Sequence, residues 1–216
     1  MFALFSLSLV AGLASVARGR TFAGWSCRQL AWWPLGLAAL ATEIALESTP
    51  LGEHPWTIQW GSAVWVMALA AMVAVLGRNA RQRGGLARLP WLLATLGVAL
   101  NLLVVTANSG SMPQSQTARA EAGVSVERVA GLASRPGWHN VAPMSPETRL
   151  PWLGDVFAEP AWLPLRNVVS IGDLLLSAGL AWATYLLAVP RTRPTPGDRS
   201  SSYLTGVARP GVLWHS

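Results

Sequence analysis

Two carboxylates in this chain each follow a glycine: Asp155 in Leu153-Gly154-Asp155 and Asp173 in Ile171-Gly172-Asp173. Two acids held close enough to share one proton would supply acid–base hydrolysis. A third acid, Glu43, and an amide, Asn101, lie inside long apolar runs. An ionisable group in such a run is a functional candidate, because placing it in hydrocarbon is costly. At a rise of about 1.5 Å per residue, Glu43, Asn101 and Asp173 fall at a similar depth in their segments. A polar pocket built from these three could hold a proton, a cation or a polar headgroup. The same side chains could instead only bond helix to helix, at about 1 kcal/mol per contact.

Ser170 and Asp173 also have a local role open to them. A Ser followed three residues later by an acid has capping-box spacing, and an acid there complements the positive end of the helix dipole. Gly172, between them, permits close helix approach. The hydrolytic reading fits less well. Intramembrane aspartyl proteases carry one Asp in a G-x-G-D motif, and here Trp152 and Ser170 replace the first glycine. Asp155 also falls in a connecting segment rather than on a second helix. His54, His139 and His215 lie outside the apolar runs and are too scattered to predict a metal site. Ser6, Ser8 and Ser15 read as packing residues, and no G-x-S-x-G motif is present. No catalytic residue is assigned.

Composition narrows the chemistry further. Of 216 residues, 52% are hydrophobic and 12% charged, with 12 Trp, against about 25% charged in soluble domains. Mean hydropathy is +0.38. The net charge of +6 comes from sixteen Arg against ten acids, with no Lys. Lysine-dependent chemistry is thereby excluded: the P-loop phosphate grip, the PLP aldimine and the retinal Schiff base. The single cysteine excludes an internal disulfide, a CxxCH haem site and Cys-rich zinc or iron–sulfur sites. No cofactor and no nucleic-acid partner is expected.

Five apolar segments are long enough to suggest membrane spans, at residues 2–17, 30–46, 60–77, 90–107 and 168–189. Arginine gathers in alternate connections. Arg18, Arg20 and Arg28 follow the first segment, Arg78, Arg81, Arg83 and Arg88 the third, and Arg191 and Arg193 the fifth. The second connection has no Arg, only Glu47, Glu53 and His54. Because cytoplasmic loops collect Arg, the expected fold is an all-α polytopic bundle with N-out/C-in orientation. The first segment has its positive charges after it, which favours a retained helix over a signal peptide. Trp25, Trp32, Trp33 and Trp91 would then sit at the cytoplasmic interface, and Trp56, Trp60, Trp152 and Trp162 at the outer one.

Residues 108–167 form a long outer loop with five Arg and five acids. Small and apolar residues at Ala118, Ala122, Val126, Val129 and Ala133 predict an amphipathic helix over 114–133. The loop is expected to be ordered, with Trp138, Trp152, Phe157 and Trp162 to bury. Residues 1–190 would form one bundle domain, and the Arg/Pro/Ser-rich tail 191–216 is expected to be disordered.

The runs Asn101–Pro113 (containing Asn108-Ser-Gly110-Ser-Met112-Pro113), Leu150–Asp155 and Ser170–Asp173 resemble the signatures of one domain-of-unknown-function family of bacterial multi-pass membrane proteins. The likeness covers most of the chain to about Pro190. Ser109-Gly110 departs from the paired Gly common in the family, and the loop is longer than usual. The resemblance implies an architecture and no activity. It marks Asn108, Gly110, Met112, Pro113, Asp155 and Asp173 as residues that the shape requires, all on the outer face. There the loop would fold over the bundle, its carboxylates accepting N–H groups from the Asn108–Ser111 turn.

Three functions fit. The first is a non-catalytic accessory or assembly subunit that contacts the lipid bilayer and partner subunits or further copies of itself. The second is a small oligomeric transporter or channel using Glu43, Asn101 and Asp173. The third is a membrane-embedded enzyme using Asp155 and Asp173.

Overall fold

The computed structural model describes residues 2–22, 29–48, 50–123, 138–160, 162 and 167–190. The chain is mostly helical. The long helices are α1 (Phe2–Ala17), α2 (Trp33–Ser48), α3 (Pro55–Arg81), α4 (Leu89–Ala107) and α6 (Ile171–Leu187), with the short α5 (Gln116–Glu121) in the connection before α6. Two helical stretches, Pro55–Arg81 and Gly85–Ala107, are long and apolar enough to cross a membrane. Trp33–Leu46 and Ile171–Leu187 are shorter apolar helices.

Prolines and caps account for where the helices begin. His54 Nδ1 accepts from Trp56 N–H at 3.2 Å, and Pro55 takes the first helical position of α3, where a missing N–H costs nothing. The helix therefore starts five residues before the expected Trp60, and it runs on to Arg81. The second segment begins later than expected, at Trp33, because Trp32 adopts a left-handed backbone (φ 56°). The fifth begins at Ile171 rather than Val168. Val168–Val169 pairs instead with Phe157–Ala158 as a two-stranded antiparallel ladder.

The helices pack side by side in the order α2, α3, α4, α6, α1. The α4–α6 contact is the closest, with the helices antiparallel. A Cβ on Gly97 would meet Gly172 O at 2.4 Å, and one on Gly179 would meet Pro90 O at 2.6 Å. At one end of the bundle, β1 (Arg20–Thr21) pairs with β6 (Val189–Pro190). There Arg20 Nε donates to Ala188 O at 2.8 Å, and Arg20 stacks on Tyr185. Arg83 lies over Trp91 at 4.1 Å in the same region.

The other end carries the cap. Here β2 (Met112–Gln114) runs parallel to β3 (Val141–Pro143), and Gln114 also bridges to Asp155. Trp138 Nε1 donates to Ser62 Oγ at 3.0 Å and seats the cap on α3. Of the four aromatic residues expected to anchor the cap, only Trp138 is buried. Trp152 is 65% exposed and Trp162 79%, and Phe157 is also exposed. Of the amphipathic helix expected over 114–133, the described residues hold only the short α5. Gln114 belongs to β2, Ser115 caps α5, and Gly123 with φ 69° ends the turn after Glu121. Residues 124–133 lie outside the described residues.

Candidate functional site

The polar residues of α4 and α6 form a closed hydrogen-bonded ring. Ser170 Oγ donates to Asn101 Oδ1 at 2.9 Å, and Asn101 Nδ2 donates to Asp173 Oδ1 at 2.9 Å. Asp173 Oδ2 accepts from Ser170 N–H at 3.0 Å, and Asp173 N–H donates back to Ser170 Oγ at 2.9 Å. The last two bonds are a capping box. Ser170 is fully buried and Asn101 is 7% exposed. Gly172 lies inside the ring, and a Cβ there would stand 2.0 Å from Asn101 Oδ1. Only glycine lets the amide reach the cap.

Asp155 forms a second polar centre, under the cap. It is 6% exposed, and its Oδ2 accepts from Gln114 Nε2 at 3.1 Å. Its backbone N–H donates to Pro113 O at 2.8 Å, and its carbonyl accepts from Ser115 N–H at 2.8 Å. Burial, helped by the negative charge of Asp173, pushes the Asp155 carboxyl up to about 8. The Gln114 hydrogen bond, the chain N-terminus and Arg119 oppose that rise. Asp155 therefore holds a proton at neutral pH. The donors expected from the Asn108–Ser111 turn are not the ones used. Gln114 serves Asp155, while Asn101 and the backbone of Ser170 serve Asp173.

That turn instead shapes an open polar cleft of about 390 Å3 at the end of α4. Ser109 and Gly110 are both left-handed, with φ 58° and 85°. Gly110 also packs against Ser62, where a Cβ would come within 2.5 Å of the serine Cβ. The Asn108 amide acts as a peptide surrogate. Its Nδ2 donates to Arg149 O at 2.8 Å, and its Oδ1 accepts from Arg149 N–H at 2.9 Å. The two walls of the cleft, 107–113 and 142–149, are thereby fastened together. Met112 and Pro113 are buried in β2.

The structure thus joins Asn101 to Asp173, but not Glu43 to either. Glu43 is half-buried on α2, which packs on α3, and no described hydrogen bond links it to the pair. Its direction around the helix was not readable from the sequence. Asn79 escaped notice because it sits among arginines. It is 1% exposed, and its amide pairs with both backbone groups of Ala31 at 3.0 Å, as Asn108 does with Arg149. Among the described residues no group of three or more His, Cys, Asp or Glu is placed to hold a metal.

Fold and site together define a helical protein with two apolar helical stretches of membrane-spanning length and a polar cap. Residues 28–185 match the family described as "Family of unknown function (DUF5317)", and the chain belongs to that family. Neither a curated protein nor a solved structure matches it.

Proposed function

We propose that the chain is a five-span protein of the bacterial cytoplasmic membrane, N-out and C-in, acting as a non-catalytic accessory or assembly subunit of a larger membrane complex. The observation that carries this reading is the ring. Asn101, Ser170 and Asp173 spend their hydrogen bonds on one another, so the strongest intramembrane polar candidates hold two helices together rather than face a substrate path. Such contacts suit a bundle whose helices lack a hydrophobic driving force for association in lipid.

Exposed apolar side chains support the bilayer setting. Leu37, Ile44, Met67, Leu96 and Leu103 are each between 47% and 70% exposed, and a surface of that kind would aggregate in water. Trp56, Trp60, Trp152 and Trp162 are exposed as well, as an interfacial aromatic belt requires.

The test is affinity capture of the tagged full-length chain from native membranes in mild detergent, read by native gel and mass spectrometry. A stoichiometric membrane partner is the expected result. A lone monomer or a homo-oligomer would overturn the subunit assignment.

A further inference from the structure

The cleft at the end of α4 has a chemistry that the ring and the cap do not use. Its lining includes Ser109, Ser111, Arg149 and Glu147. Among the described residues the two hydroxyls have no hydrogen-bond partner, and Arg149 makes no ion pair. The Ser145 hydroxyl donates to Glu147 Oε2 at 2.7 Å and holds that carboxyl below its usual range, with a backbone hydrogen bond helping. One cleft is thus lined by an arginine, two serines with free hydroxyls and, on the same wall as the arginine, an acid. Its volume of about 390 Å3 is sufficient for a small polar ligand.

We propose that this cleft binds a small zwitterion carrying one phosphate and one primary ammonium, the headgroup chemistry of phosphatidylethanolamine. Arg149 and the serine hydroxyls take the phosphate, since guanidinium matches phosphate oxygens in a bidentate fork. Glu147 accepts from the ammonium, whose N–H donors a quaternary headgroup lacks. The cleft opens where α4 ends, at headgroup level if α4 spans the bilayer. The inference rests on the membrane reading for that depth alone.

The test uses the full chain, purified and delipidated in detergent, and short-chain phosphatidylethanolamine, phosphatidylcholine and phosphatidylglycerol of equal chain length as probes. Binding to the ethanolamine lipid is expected to be about tenfold tighter than to the other two, and about tenfold weaker in Arg149→Gln and in Glu147→Gln. Both variants keep the backbone pairing of Arg149 with Asn108, and an unchanged melting temperature verifies their fold. Free phosphoethanolamine distinguishes the sources. Competition only at concentrations far above the lipid's assigns the ligand to the bilayer, whereas tighter binding of the free compound assigns it to solution. Equal binding of all three lipids, or wild-type affinity in both variants, would overturn the proposal. Release of the native protein from membranes by carbonate would instead sink the membrane reading and leave the detergent result standing.

Discussion

Asn101 on α4 and Asp173 in the first turn of α6 lie 72 residues apart in sequence and are joined by a 2.9 Å bond from Nδ2 to Oδ1. Asp173 is already fixed as the N3 acid of its own helix's capping box. The amide therefore meets a carboxylate whose position is set in advance, and the bond registers one helix against the other. Removing the amide should be costly. Asn101→Ala strands the buried Ser170 hydroxyl and takes a donor from Asp173, for an expected loss of about 1–3 kcal/mol. Asn101→Asp should be worse, since it sets two carboxylates face to face. Thermal unfolding of the purified protein in detergent reads both.

Gly172 offers a steric test of the same contact. A methyl group there would clash with Asn101 Oδ1 at 2.0 Å and Gly97 O at 2.6 Å. Gly172→Ala should destabilise by about 1–3 kcal/mol or more through overpacking. Gly84 serves as the control, since a methyl group at that position would meet nothing within 4 Å. Gly84→Ala should melt within error of the wild type.

The buried Asp155 gives stability a pH dependence of definite sign. Between its ordinary value of 3.8 and its folded value of about 8, Asp155 is protonated in the folded chain and ionised in the unfolded one. Its contribution is therefore fully present below the lower value and lost as pH rises through the upper one. The expected slope is about 1.4 kcal/mol per pH unit within that window. Asp155→Asn should flatten it. Comparing denaturant unfolding at about pH 6 and about pH 9 checks this; an equal pH response in wild type and variant would refute it.

Asn79 should matter at the opposite end of the bundle. Asn79→Ala orphans the N–H and C=O of Ala31, and hydrogen exchange at the Ala31 amide should accelerate well beyond that in the helices. Unchanged protection there would show that the segment before α2 is held by other means.

Much of the helical layout was legible in the sequence, because apolar runs, Pro90 and the Ser170/Asp173 spacing act locally. The site was legible only in part. Rise per residue predicts one level for Glu43, Asn101 and Asp173, but their angular positions depend on neighbours that the sequence does not name. The donors to Asp155 were hidden for a related reason. Gln114 lies 41 residues away and meets Asp155 only after a parallel strand pairing forms. Asn79 and Asn108 each pair with a backbone segment, a role that carries no local pattern.

The most direct measurement of the central claim is a double-mutant cycle on Asn101→Ala and Asp173→Ala, read by unfolding free energy in detergent. If the two residues form a helix-to-helix staple, the double variant should lose less than the sum of the single losses, with a coupling of about 1–2 kcal/mol. Additivity within about 0.3 kcal/mol would contradict the staple and leave both residues free to bind or carry a ligand.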